Sequence, residues 1–143
     1  MDNNICITGL GIICSIGTDA ASVLDSLREG RPGIGSIKYL ETRHSHLPVG
    51  EVQLSDDQMK EILGIEGSEP MSRTSLMGAI AVRQALEQAG ITDISGKRVA
   101  LISGTTVGGM DLTEKYFERM KTDDSLLYLP QSNECGKSTL EIA

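Results

Sequence analysis

The 143-residue chain carries a formal net charge of −7 and is 39% hydrophobic but only 3% aromatic. That length suffices for about one domain with one modest core, and the acidic balance opposes nucleic-acid binding, which needs clustered Lys and Arg to displace counterions. No charged-then-apolar leader opens the sequence and no apolar run approaches the ~18 residues of a membrane helix, so the expectation is a soluble, cytoplasmic protein with no membrane partner.

Phe117 is the single phenylalanine and tryptophan is missing, so any core is built from Ile, Leu, Val, Ala and Met. The 16 glycines exceed the average share of about 7% and predict tight turns or close backbone approaches. Cys6, Cys14 and Cys135 form no C-x-x-C pair. Cys6 lies in an apolar run, where a free thiol behaves as a small hydrophobe.

In chain order, Ile5-Cys6-Ile7-Thr8 begins an extended segment that Gly9-Leu10-Gly11-Ile12-Ile13-Cys14 continues with glycine breaks. Thr18 or Asp19 caps a helix with Ala20, Val23, Leu24 and Leu27 on one face, ended by Gly30 and Pro32. Residues 33–54 read as loop with short extended pieces. Ser55-Asp56-Asp57-Gln58 is a capping box, with Gln58 placed to reach back to the Ser55 N–H. A short helix follows and stops at Gly64. The strongest helix runs from about Ser72 to Ala89, apolar over more than half its circumference, with Arg83, Gln84, Glu87 and Gln88 as a narrow polar face. Its many Ala and Gly residues suggest close packing on several sides. Val99 to Ile102 is uniformly apolar, as suits a strand covered on both faces or, over only four residues, a buried helix turn. Asp111 then caps a helix over Leu112–Met120, with Glu114 at its third position and Leu112, Tyr116 and Met120 on one side. Beyond Pro130 the sequence turns polar and restarts as Ser138–Ala143 without a cap, like a helix cut open. The expectation is the front part of something longer.

Four stretches invite a chemical reading. Gly9–Cys14 begins like a dinucleotide fingerprint but has Cys14 at the sixth position, and no ribose-binding acid follows a clear βαβ unit. Gly136-Lys137-Ser138-Thr139 mimics the end of a P-loop, with Gln131 where its first glycine belongs. His44-Ser45-His46 lacks further ligands at metal-binding spacing and reads as an exposed polar loop, so no metal is expected. That leaves Gly104-Thr105-Thr106-Val107-Gly108-Gly109, between a strand and a helix start. It has phosphate-loop order, yet Val107 and Met110 flank the glycines, no Lys or Arg stands near, and an acid occupies the helix start. The loop suits apolar contact with close backbone approach: an acyl or hydrocarbon ligand, or tight packing.

At this loop the chain resembles the N-terminal part of the β-ketoacyl-[acyl carrier protein] synthases, the condensing enzymes of the thiolase-like α/β fold. "ICITGLGIICSIG" (5–17) is similar to the family's opening strand and glycine turn, and "VLDSLREGRPGI" (23–34) to its first helix. "MSRTSLMGAIAVRQALEQAGI" (71–91) resembles the long central helix, and "RVALISGTTVGGM" (98–110) the strand and G-T-x-x-G-G loop. The resemblance implies a mixed sheet packed with helices, of which 1–143 is an incomplete front part. It implies chemistry in which a cysteine thiolate takes an acyl chain from acyl carrier protein and attacks the carbanion formed by decarboxylating a malonyl thioester, in fatty acid, polyketide or polyene synthesis. No T-A-C-[ST]-S-like motif occurs here, and "CGKSTLEIA" (135–143) resembles the helix just before it. No residue of this chain is therefore expected to be catalytic, no cofactor is implied, and the chain alone is expected to be inactive.

What the resemblance does place here is part of the acyl pocket wall, at Thr106, Val107, Gly108 and Met110. It also implies a contribution from Tyr128 and Leu129 to a dimer interface that closes the partner's pocket, in a homodimer or a ketosynthase heterodimer. Two rivals stand beside the enzyme. One is a chain-length-factor-like subunit of the same fold, distinguished by Gln or another residue in place of the nucleophilic Cys. The other is a stand-alone acyl- or protein-binding module, which a cooperative unfolding transition of the isolated chain would favour.

Overall fold

A computed structural model of the chain describes residues 4–66 and 71–123. The described elements are α1 (Ala20–Glu29), β1 (Ile34–Gly35), β2 (Val49–Gly50), α2 (Asp56–Leu63), α3 (Arg73–Gln88) and α4 (Met110–Met120). It is a small mixed α/β unit whose one two-stranded sheet pairs β1 with β2 antiparallel, Ile34 opposite Gly50.

Local chemistry fixes the helix ends. Asp19 caps α1 by accepting from the Ser22 N–H at 2.8 Å, while the Asp19 N–H donates to Ser22 Oγ at 3.2 Å. Ser55 and Gln58 make the expected reciprocal capping box on α2, at 3.1 and 2.9 Å. Gly30 and Gly64 close α1 and α2 in the left-handed conformation, each at φ 67°, which a side chain would disfavour.

The core forms where α2 lies on α3. Met59 and Leu63 from α2 meet Leu76, Ala79 and Ile80 from α3, with Met59 and Leu76 fully buried. Arg83 ties the far end of the pair by donating to the Ile62 carbonyl. On α1 only part of the expected apolar face is covered: Val23 is buried, while Leu24 and Leu27 stay exposed.

The opening segment runs antiparallel along the other side of α3. Leu10 N–H donates to Gln88 Oε1 at 2.6 Å and Ile12 N–H to Gln84 Oε1 at 3.0 Å. Two residues of extended chain rise about 6.6 Å and four of helix about 6 Å, so N–H groups at i and i+2 match amides at i and i+4. Between these bonds the backbones touch. A Cβ built on Gly9 would stand 1.9 Å from the Ala85 carbonyl oxygen, and one on Gly11 would stand 1.8 Å from that of Ala81. The glycines and the small residues of α3 thus serve each other, as the composition of the helix suggested. Gln84 and Gln88, two residues of the expected polar face, are the clamps: Gln88 stays exposed while Gln84 is half-buried and also donates to the Thr18 carbonyl at 2.7 Å.

Two expected strands, Ile5–Thr8 and Val99–Ile102, form no ladder among the described residues. The Ile7–Thr8 end of the first and Val99–Leu101 of the second flank an apolar groove of about 400 Å³ floored by Val82, Ala85, Leu86 and Ala89 of α3. No described strand pairs with either segment, and most of their apolar side chains remain in solvent, Leu101 being half-buried. Ile5 is 99% exposed, Ile7 94% and Ile102 94%. Cys6, in the same apolar run, is exposed with them, and Cys14 is half-buried. The reason is physical: a strand's burial depends on its neighbours in the sheet, and an apolar run alone supplies none.

Candidate functional site

The glycine loop follows Ile102 and enters α4. Its tightest point is Gly108, where an added Cβ would meet the Thr105 side chain at 2.9 Å and Thr74 Cγ2, in the first turn of α3, at 3.3 Å. Gly109 is buried and adopts φ 86°, the left-handed region in which only glycine is unstrained. It caps α4 without any side chain. The helix therefore begins at Met110, two residues before the expected start.

Asp111 corrects the sequence reading. It does not cap its own helix. Its carboxylate accepts the Arg73 N–H at 2.9 Å, supplying a partner to the first orphan donor of α3. Ser72 caps the same terminus from within, accepting the Ser75 N–H at 3.2 Å. Leu112 is buried and Tyr116 half-buried, so α4 seats on the expected side. Loop, α4 and the start of α3 are thus joined at one place.

On its other side that place is anchored by Arg73. Its guanidinium bonds Asp56 Oδ1 at 2.8 Å and the Val52 carbonyl at 2.7 Å, and stacks over Tyr39 at 5.3 Å from the ring centroid. Beside it Glu51, a residue only 9% exposed, accepts the backbone N–H groups of Lys38, Tyr39 and Leu40 on its carboxylate at 2.7–3.2 Å. Burial alone would raise the Glu51 carboxyl. The three N–H donors and the Arg73 charge outweigh it and hold the group below its ordinary value.

Of the four described residues expected at a pocket wall, Gly108 packs tightly while Thr106, Val107 and Met110 face outward, Val107 being 68% exposed. A neighbouring groove of about 380 Å³ runs between Ser103–Thr105, Gly11–Ile13 and the Met77–Ala81 side of α3. Tyr128, Leu129, Cys135 and the Gly136–Thr139 stretch lie outside the described residues. His44 and His46 sit exposed on a turn with ring centroids 6.1 Å apart, as their reading as a polar loop requires. Among the described residues there is no cluster of metal-ligating side chains and no helix long and apolar enough to cross a membrane. The loop itself offers no cation from Ser103 to Leu112, so its chemistry is apolar contact and backbone polarity. Of the residues around it, Arg73 and Glu51 carried no local motif and Asp111 carried one for the wrong helix; the partner of each lies well away in sequence.

The family model described as "Beta-ketoacyl synthase, N-terminal domain" matches residues 2–138. The chain belongs to the β-ketoacyl synthase family. Among its relatives, Nodulation protein E of Rhizobium meliloti (strain 1021) is 33% identical over 129 residues, covering 86% of this chain and 31% of that protein. The 3-oxoacyl-[acyl-carrier-protein] synthase 1 of Escherichia coli (strain K12) is 35% identical over 106 residues, covering 71% and 25%. The 3-oxoacyl-[acyl-carrier-protein] synthase 2 of Vibrio harveyi is 30% identical over 113 residues, covering 77% and 27%. The chain thus spans about a third or less of the length of these relatives, and no solved structure matches it. The fold described above is compatible with the family's N-terminal domain, and the family is one of condensing enzymes.

Proposed function

We propose that this chain forms the front part of the N-terminal domain of a β-ketoacyl-[acyl carrier protein] synthase with the thiolase-like fold. The whole protein would join an acyl thioester to a malonyl thioester with loss of CO₂, taking both from acyl carrier protein, and would work as a dimer in the cytoplasm. The observation that carries the reading is the family match across residues 2–138. The exposed apolar edges at Ile5–Ile7 and Val99–Ile102 support it, because such edges suit a sheet completed by further strands. In this reading the chain contributes no reacting group. Its contribution is a wall: Val107, with Thr106, Gly108 and Met110, borders the acyl chain, and the absence of a nearby cation suits a hydrocarbon rather than a phosphate. Tyr128 and Leu129 belong to the same proposal as elements of the dimer interface.

A valine at 107 leaves room that a larger ring would fill. In the full-length protein, Val107→Phe is expected to reduce loading of the longest accepted acyl chains by about tenfold while short chains load normally, since one misfitted hydrophobic group is worth roughly 1–3 kcal/mol. Comparing acyl-enzyme formation across a chain-length series by mass spectrometry checks this. An unchanged profile removes Val107 from the wall.

A further inference from the structure

We propose that Asp111 is a positioning residue, the latch that holds the Val107 loop on α3; the inference rests on reading that loop as the acyl-chain wall. Val107 is 68% exposed, so its own contacts do little to fix it. Its place is set by what flanks it. Next to it, Gly108 is wedged against Thr105 and Thr74, and further on the Asp111 carboxylate accepts the Arg73 N–H at 2.9 Å. Gly109 between them provides no side chain and no side-chain cap, which leaves Asp111 as the polar tether between the loop's exit and α3.

The position suits a carboxylate. Asp111 is the second residue of α4 and touches the first of α3, so it lies at the electropositive ends of two helices at once. The anchor to which it binds is firm, because Arg73 is itself held through Asp56, the Val52 carbonyl and the Tyr39 ring. The bond uses the backbone N–H of Arg73, so the tether survives changes to the arginine side chain. A contact 38 residues away in sequence thereby sets where Val107 stands.

Three versions of the full-length protein test the latch: wild type, Asp111→Ala and Asp111→Asn. Alanine suits this exposed helical position and removes the acceptor, whereas asparagine keeps an oxygen in place. Hydrogen exchange across residues 103–113 is expected to speed up about tenfold in Asp111→Ala, the equivalent of one charge-assisted hydrogen bond, and by only about threefold in Asp111→Asn, which keeps the acceptor and loses the charge. The acyl chain-length profile is expected to blur in Asp111→Ala and to recover in Asp111→Asn. Unchanged exchange in Asp111→Ala overturns the latch. Faster exchange with an unchanged profile overturns the positioning role if Val107→Phe does shift that profile. If Val107→Phe also leaves the profile alone, the wall reading has failed and the proposal falls with it.

Discussion

Gly11→Ala is expected to destabilise the chain by about 3 kcal/mol or more. The new Cβ would stand 1.8 Å from the Ala81 carbonyl oxygen and 2.7 Å from its carbon. Those atoms belong to the backbone of α3, so no rotamer change relieves the clash, and overpacking of this kind already costs about 1–3 kcal/mol where side chains can yield. Separating the segment from the helix would also stretch the Ile12–Gln84 and Leu10–Gln88 bonds. Gly35→Ala is the control, since nothing lies within 4 Å of the place its methyl group would take and its φ is unexceptional. Urea denaturation of both variants checks the contrast. A Gly11→Ala midpoint equal to that of Gly35→Ala would remove the close approach between the opening segment and α3.

Glu51→Gln is expected to cost about 2 kcal/mol at neutral pH. Three backbone N–H groups converge on the carboxylate, and the amide of glutamine would turn a donor toward donors, leaving at least one of them unsatisfied. Arg73 would lose a neighbouring negative charge as well. The same carboxylate gives stability a pH dependence. Its folded pKa lies below the ordinary value of about 4.5, so the folded state binds fewer protons than the unfolded chain. The contribution is therefore complete above about pH 4.5 and disappears as the pH falls through the folded pKa. Asp19, held down chiefly by the Ser22 N–H, acts in the same direction. Wild type should lose stability steeply from about pH 4.5 downward, and Glu51→Gln should lose less over that range. Parallel pH profiles for the two proteins would show that folding does not lower the Glu51 pKa.

What could be read from the sequence was whatever is decided within a few residues. The Asp19 and Ser55 caps, the glycine stops at Gly30 and Gly64 and the span of α3 depend on neighbours one turn away, and each stands where expected. The family was legible too, because four motifs occur in order. Less was legible where partners are distant. Ile5–Thr8 and Val99–Ile102 have the composition of strands, but pairing is a property of two chains of residues, and no ladder forms with either among the described residues. Gln84 and Gln88 are legible as part of a polar face, but their bonds to the opening segment show only when that segment is laid antiparallel to α3. Asp111 obeys the capping rule for the wrong helix: glycine at 109 takes its expected place, and the carboxylate turns to Arg73 instead. At the candidate site, the apolar character of the glycine loop was plain from its residues, whereas the helix end on which it rests was not.

Condensation by the full-length protein is the most direct test of the functional assignment. Supplied with an acyl-[acyl carrier protein] and malonyl-[acyl carrier protein], it is expected to release CO₂ in step with a 3-oxoacyl thioester two carbons longer than the acyl donor. A folded, dimeric protein that leaves the malonyl thioester intact would contradict the enzyme and leave the chain-length-factor-like subunit in its place.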